Sequence, residues 1–169
     1  GKLGKTEAWL ILDAKPGAKL VYGLLPNTDV RALAGAEIEQ HLRWVEVKAG
    51  DVLYIPAGMV HAIGGGILLY EIQQTSDVTY RFWDWNRRNE AGEARELHWK
   101  KACDVARADL QNTRMEGMVT QLEGGSLTQY LDTPFFRLDR LHVKGRMMLP
   151  EREGFQYVTA LSSGALSKE

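Results

Sequence analysis

The 169-residue sequence contains one cysteine, Cys103, and no long apolar run. One thiol cannot form an internal disulfide or a cysteine-rich zinc motif, and this composition is typical of a reducing compartment. No apolar segment approaches the roughly 20 residues that span a membrane, and residues 1–5 do not have the pattern of a signal peptide. We therefore expect a cytosolic protein in which Cys103 is a packing residue.

The sequence also lacks an excess of either charge. It has 21 Lys and Arg residues against 22 Asp and Glu residues, which gives a formal net charge of -1. This balance argues against a surface for nucleic acid or for an anionic membrane. With 44% hydrophobic and 25% charged residues, the chain has the composition of a globular domain. A small polar substrate or another protein is the expected partner.

Apolar segments separated by turn residues predict a chain made mainly of strands up to residue 82. Residues 7–12 and 19–25 are predicted to form a hairpin around the turn at Lys15, Pro16 and Gly17. Apolar spacing from Val30 to Leu42 predicts a helix that is interrupted at Gly35. Further predicted elements are a helix over 96–110 and strands over 127–131, 135–149 and 155–161.

The segment from Gly50 to Ala62, GDVLYIPAGMVHA, is the most informative part of the sequence. Its Pro-Ala-Gly turn predicts two strands joined by a tight connection, with His61 where the second strand begins. A histidine at the mouth of a small β-barrel is a plausible metal ligand. A buried histidine with an ordinary hydrogen-bond partner is the other interpretation, and the segment alone does not decide between them.

Residues 67–82 alternate between polar and apolar side chains. The polar positions include Glu71, Gln73 and Arg81, while the apolar ones include Leu68 and Tyr70. This period of two predicts a strand with one polar face. That face either meets solvent or lines a site inside a barrel, and periodicity fits both.

The spacing of Gly50, Pro56, Gly58 and His61 resembles the second motif of the cupin superfamily, although Gly65 stands where many cupins have asparagine. Flanking segments narrow the resemblance to type I mannose-6-phosphate isomerases of the Firmicutes-like branch. They are the GKTEAW segment over 4–9, the HAI segment over 61–63, and the EIQQ, SDVTYR and RELH segments over 71–74, 76–81 and 95–98.

This resemblance implies a mainly β fold, a cupin-type (jelly-roll) β-barrel with a helical insert and a flanking helix. It places the central part of the metal-binding barrel in residues 1–110. Residues 111–169 are expected to form a linker and the beginning of a second, C-terminal cupin-like β unit.

The resemblance also implies a zinc-dependent enzyme that interconverts mannose 6-phosphate and fructose 6-phosphate through a cis-enediol. One zinc ion per complete site is expected, and the partner is a small sugar phosphate. The implied residues are Glu7 and His61 as zinc ligands, Arg81 as the catalytic arginine, Glu71 as an acid beside the site and Lys5 near the substrate. The reaction also needs a general base, for which Glu71 is the candidate, and a cation for the phosphate, for which Lys5 and Arg87 or Arg88 are available. A solvated surface position is the alternative for these two arginines.

Members of this family are about twice as long and carry further zinc ligands in an upstream Gln-x-His-Pro motif. We therefore expect a central fragment that holds zinc weakly or not at all, with exposed strand edges through which it forms homo-oligomers. Neither His41 nor His98 fits the missing ligand role. His41 is predicted to be an exposed helix residue, and His98 is predicted to secure the following helix against the barrel. The alternatives are a non-catalytic cupin module that binds a sugar or sugar phosphate, and an interaction domain with Trp83 and Trp85 as contact residues.

Overall fold

Nine β-strands, one α-helix and two 3₁₀-helices form the part of the chain that the computed structural model describes, residues 4–33, 35–111, 114–149 and 151–162. The mainly β prediction is therefore confirmed. No helix within these ranges is long and apolar enough to cross a membrane. The helices are α1 (Trp99–Val105) and the 3₁₀-helices Val30–Ala32 and Gly35–His41. The strands are β1 (Glu7–Ala14), β2 (Lys19–Leu24), β3 (Leu42–Glu46), β4 (Val52–Ile55), β5 (His61–Ala62), β6 (Ile67–Gln73), β7 (Met118–Leu122), β8 (Gly125–Asp132) and β9 (Arg137–Val143).

The strands form three antiparallel sheets, in the orders β4-β1-β6, β3-β2-β5 and β7-β8-β9. In the first sheet, Glu7 lies opposite Ile55 on one side and Gln73 on the other. In the second sheet, Tyr22 lies opposite His61. Glu7 and His61 therefore belong to different sheets, and they meet only because these two sheets pack together.

The first two sheets enclose a buried apolar cluster. Trp9 and Ile11 of β1 pack there with Leu20 and Tyr22 of β2, and each of the four is at most 1% exposed. Successive side chains of a strand point to opposite faces, so Glu7 shares the inward face of β1 with Trp9 and Ile11. The other buried members of the cluster are Val47, Leu53, Ile55 and Met59.

The third sheet covers the opposite face of β1. Ala8 and Leu10 are buried there in a cluster that also contains Val52, Leu131 and Leu138. A strand that is covered on both faces needs apolar residues at successive positions. This explains why the sequence from residue 8 to residue 12 is an uninterrupted apolar run.

A helical layer covers the outward face of the second sheet. Val21 of β2 packs with Val30 and Ile38 of the 3₁₀-helices and with Ala102 and Cys103 of α1. The Cys103 sulfur lies 3.8 Å from the carbonyl oxygen of Val30, and burial raises the pKa of this thiol. Cys103 is therefore a packing residue, as predicted.

The turn that leads to His61 rests against the end of α1. Gly58 has φ of +89°, and a Cβ atom added there would lie 2.6 Å from the carbonyl oxygen of Val105. The backbone N–H of Arg107 donates to the carbonyl oxygen of Gly58 at 2.9 Å. Because glycine alone accommodates both the positive φ and the close approach, this contact fixes where β5 begins.

Three predicted elements before residue 100 differ from the structure. The predicted hairpin is wrong, because β1 pairs with β4 and β6 whereas β2 pairs with β3 and β5. The strand predicted over 67–82 ends at Gln73, opposite Glu7, where its partner strand β1 also begins. The polar alternation continues beyond Gln73, but among the described residues the backbone pairing with the β1 side ends with the bond from the Gln74 N–H to the carbonyl oxygen of Thr6 at 3.0 Å. The predicted helix from Val30 to Leu42 is two short 3₁₀-helices instead.

Differences also occur in the second half of the chain. The helix predicted over 96–110 is confined to α1, and the strands predicted over 127–131 and 135–149 correspond to β8 and β9. The strand predicted over 155–161 is not formed, whereas β7 was not predicted because its surroundings are polar and glycine-bearing. The division at residue 110 and the association through strand edges remain predictions, although Met118 and Val119 are exposed on the edge strand β7.

Candidate metal and sugar-phosphate site

A buried carboxylate lies at the centre of the candidate site. Glu7 is 1% exposed, and its Oε1 atom lies 2.8 Å from the ammonium nitrogen of Lys5 as an ion pair. The ammonium of Lys5 therefore compensates the charge of this oxygen, which has no further hydrogen-bond partner among the residues that the structure describes. A buried carboxylate needs such a compensating charge, and a metal cation could supply it as well, so Oε1 is a candidate cation ligand.

His61 presents a ring nitrogen to this oxygen. Its Nδ1 atom lies 2.8 Å from the carbonyl oxygen of Met59, and its Nε2 atom lies 3.7 Å from Oε1 of Glu7. A carbonyl oxygen can only accept, so the neutral ring carries its proton on Nδ1 and leaves a lone pair on Nε2. This is the tautomer in which histidine binds a metal through Nε2.

Strand β6 adds two polar side chains beside Glu7. Glu71 lies opposite Trp9, and Gln73 lies opposite Glu7. The indole N–H of Trp9 is 3.0 Å from Oε2 of Glu71 and 3.2 Å from Oε2 of Glu7. Lys5 donates to Oε1 of Gln73 at 2.6 Å. Glu71 and Gln73 are exposed, so the polar end of the space between the sheets opens to solvent above the buried Glu7.

The Glu7 and His61 atoms fit a divalent metal such as zinc. Zinc binds nitrogen and oxygen at roughly 2.0–2.2 Å, which places two tetrahedral ligands about 3.4 Å apart. The 3.7 Å between Oε1 of Glu7 and Nε2 of His61 is close to that spacing. Within the described ranges no third His, Cys, Asp or Glu side chain joins them in a potential metal cluster.

Arg81 lies on the irregular backbone between β6 and α1. Its backbone N–H donates to Nδ1 of His98 at 3.3 Å, and its carbonyl oxygen accepts from the His98 backbone N–H at 2.8 Å. The interpretation that Arg81 shares a strand face with Glu71 is therefore wrong, because the strand ends at Gln73. The catalytic role assigned to Arg81 remains a prediction.

The structure gives the surroundings of His98 and His41, and the predicted exposure of His41 is wrong. His98 precedes α1 and secures the Arg81 backbone through the two bonds above. His41 is the last residue of a 3₁₀-helix and is partly buried rather than fully exposed.

Arg87 lines a different part of the surface. It borders an open cleft of about 290 Å³ together with Lys19, Trp44 and Trp85, and its guanidinium lies 5.6 Å from the centre of the Trp85 ring. None of its described contacts is with Glu7. Arg88 donates to the carbonyl oxygen of Gly92 in an exposed turn. The structure therefore does not bring either arginine together with the Glu7 and His61 pair.

Sequence reasoning missed two members of the polar cluster, Trp9 and Gln73. Each lies two residues after a predicted site residue on the same strand, Trp9 after Glu7 and Gln73 after Glu71. Side chains at this spacing share a face of a strand. The signal was therefore present in the sequence, although it does not say which atoms are in contact.

Comparison with solved protein structures identifies the fold class. No family model matches the chain. The structure superposes with a TM-score of 0.77 on the crystal structure of mannose 6-phosphate isomerase from Bacillus subtilis, at 31% sequence identity, over 86% of this chain and 47% of that protein. The fold is thus mainly β and cupin-like, as predicted.

Sequence comparisons give the particular relatives. The chain is 35% identical over 164 residues to mannose-6-phosphate isomerase ManA of Bacillus subtilis and 33% identical over 165 residues to mannose-6-phosphate isomerase of Streptococcus mutans. These alignments cover 95% and 96% of this chain, and 52% of each relative. The chain therefore spans about half the length of the curated relatives it matches. The predicted resemblance to type I mannose-6-phosphate isomerases is confirmed.

Proposed function

We propose that the chain supplies metal-binding and substrate-binding residues of a zinc-dependent mannose-6-phosphate isomerase. The observation that carries this proposal is the 3.7 Å separation between the buried Oε1 of Glu7 and Nε2 of His61, which are an oxygen and a nitrogen of the kinds that zinc binds. The similarity to mannose-6-phosphate isomerases over nearly the whole chain supports the same activity. A cytoplasmic location agrees with the single, buried cysteine.

Glu7 and His61 would hold the metal through one oxygen and one nitrogen, and residues outside the described cluster would complete the site. When bound, zinc would polarise the sugar oxygens and stabilise the negative charge that develops on them. Lys5, whose ammonium lies between Glu7 and Gln73, would bind the anionic or hydroxyl groups of the substrate.

The isomerisation requires a proton to move between C1 and C2 of the sugar through a cis-enediol. Glu71 is the candidate base, because its side chain is exposed to solvent and would be accessible to a substrate, while the Trp9 indole N–H donates to its Oε2 atom. Its second oxygen would take the proton from one carbon and return it to the other. Arg81 would stabilise the enediol charge, which requires the segment after Gln73 to place its guanidinium over the site.

The test is conversion of mannose 6-phosphate by the 169-residue chain and by its Arg81→Ala variant. We expect the variant to lose at least about 100-fold in turnover, the scale on which a single charge-stabilising group acts, while retaining its circular dichroism spectrum. Arg140→Ala is a matched control, because Arg140 is exposed on β9 of the third sheet. Equal turnover of the Arg81 variant and the parent chain would contradict the assignment. Binding of the sugar phosphate without any turnover would favour the non-catalytic binding module.

A further inference from the structure

Trp9 has an unusual position for a residue of the apolar core. Its ring packs in the cluster between the first two sheets and is 1% exposed. Its N–H, however, lies within hydrogen-bond distance of two carboxylates, Oε2 of Glu7 at 3.2 Å and Oε2 of Glu71 at 3.0 Å. One buried donor is thus shared by two acids that come from neighbouring strands.

The bond from Trp9 to Oε2 and the ion pair of Lys5 with Oε1 together determine which oxygen Glu7 presents to His61. Because Oε2 of Glu7 accepts from the indole, the rotation of the carboxylate is restricted, and Oε1 is left facing Nε2 of His61. Trp9 also supports the imidazole directly. The two rings meet edge to face, with centroids 5.4 Å apart and an interplanar angle of 80°. Trp9 therefore contacts Glu7, Glu71 and His61 at once.

Packing alone does not explain an indole at this position. A phenylalanine would supply an apolar ring, whereas a buried indole N–H requires an acceptor. In the structure its acceptors are the two site carboxylates. The contacts therefore favour a role for the N–H itself, in addition to the packing of the ring.

We infer that Trp9 is a positioning residue of the metal site, which sets the relative orientation of Glu7, Glu71 and His61 through its N–H and its ring. This inference rests on the proposed function, since it assigns Trp9 to the site that Glu7 and His61 would form. Trp9 does not touch the metal or the substrate. It acts by presenting Oε1 of Glu7 and by holding the carboxylate of Glu71 beside it.

The first test is calorimetric titration of the metal-free 169-residue chain with Co²⁺ at pH 7. We expect Trp9→Phe to weaken binding about 10–100-fold, the usual cost of removing a group that orients a metal ligand. Trp83→Phe is the matched control, because the Trp83 indole also donates to a glutamate, Glu39, but at an exposed place. Equal cobalt affinity of the Trp9→Phe variant and the parent chain would overturn the inference.

A second variant separates the N–H from the ring. Incorporation of 3-benzothienylalanine at position 9 retains a bicyclic ring of nearly the same size and replaces the N–H by sulfur. We expect this protein to fold and to bind cobalt as weakly as Trp9→Phe. Full affinity of the benzothienyl protein would show that the ring alone is sufficient and would contradict a role for the N–H.

The hydrogen bonds from the Trp9 indole to Glu7 and Glu71 can also be tested without metal. In ¹H–¹⁵N spectra of the metal-free chain, both Glu7→Gln and Glu71→Gln should shift the Trp9 indole resonance, since each carboxylate accepts from it. The Trp83 indole should not move in either variant. If the parent chain binds no cobalt, the metal-binding proposal fails, and this spectrum then decides the role of Trp9. If neither substitution changes the Trp9 indole resonance, the inference that Trp9 donates to both carboxylates is wrong.

Discussion

The inward face of β1 differs between its two ends. At one end, Ile11 packs with the apolar residues Leu69 of β6 and Leu20 of β2. At the other end, Glu7 lies opposite Gln73 and faces His61. The strand, the face and the neighbouring strands are the same, so the pleat alone does not determine whether a position serves the core or the site. The apolar end stabilises the fold, and this stability allows a cluster of buried and paired charges at the open end.

The largest expected effect comes from disrupting the apolar end. Ile11→Ala removes three carbon atoms from a side chain that is 1% exposed, and the cavity adds to the lost burial. We expect the free energy of unfolding to fall by about 2–5 kcal/mol. Urea unfolding, followed by fluorescence, measures this change. Leu68→Ala on β6 is the control, since Leu68 is 61% exposed and should change stability by less than about 0.5 kcal/mol. Similar losses in both variants would contradict the assignment of the apolar end.

A charged pair away from the site should have the next largest effect. Arg95 donates through Nε to Oδ2 of the buried Asp84 at 2.6 Å and through a second nitrogen to Oδ1, and these bonds lower the pKa of Asp84. Asp84→Asn should reduce the free energy of unfolding by about 1–3 kcal/mol at pH 7, the scale of charge-assisted hydrogen bonds.

The effect at Asp84 should depend on pH with a known sign. Because the pKa is lowered in the folded state, the carboxylate stabilises the fold fully above its unfolded pKa of about 3.9. This contribution is lost as the pH falls from there through the folded pKa. The difference between the parent chain and Asp84→Asn should therefore be constant near neutral pH and shrink below about pH 4. A difference that persists unchanged at pH 2 would contradict the ion-pair explanation.

The smallest effect on stability is expected at the polar end, from Glu7→Gln. The new amide can still accept from Trp9 and can donate to Nε2 of His61. The ion pair with Lys5 is lost, but that ammonium is 19% exposed and retains its bond to Gln73. We expect the free energy of unfolding to change by less than about 1 kcal/mol, whereas the affinity for Co²⁺ should be lost. Urea unfolding and cobalt titration of the same sample measure both. A loss of stability as large as that of Ile11→Ala would show that Glu7 serves the fold and would remove the contrast between the two ends.

Much of the fold was predictable because its signals are local. The alternation along β6, the Pro-Ala-Gly turn and the position of His61 at the start of β5 all follow from short-range patterns. The pairing of β1 with β4 and β6, instead of with β2, was not predictable from the sequence alone. Strand pairing depends on which faces are buried by segments that are distant in the sequence. The turn between β1 and β2 does not indicate which strands pair with β1.

The site was predictable only in part for the same reason. The resemblance pointed to Glu7 and His61, and the structure brings these residues together across two sheets. The period of two continues from Glu71 to Arg81, but a strand also needs a partner, and within the described residues the register of β6 with β1 ends at Glu7 and Gln73. The sequence pattern therefore could not reveal that Arg81 and Arg87 lie on irregular backbone.

The buried thiol of Cys103 has a practical consequence for following motions of this molecule. It is the only cysteine in the sequence, and it lies between α1 and the 3₁₀-helix that contains Val30. A thiol-reactive dye can reach it only when the helical layer separates from the second sheet, so the labelling rate reports how often that layer opens. The end of α1 also contacts the turn before His61. The labelling rate would therefore also show whether ligand binding near His61 makes the helical layer more rigid.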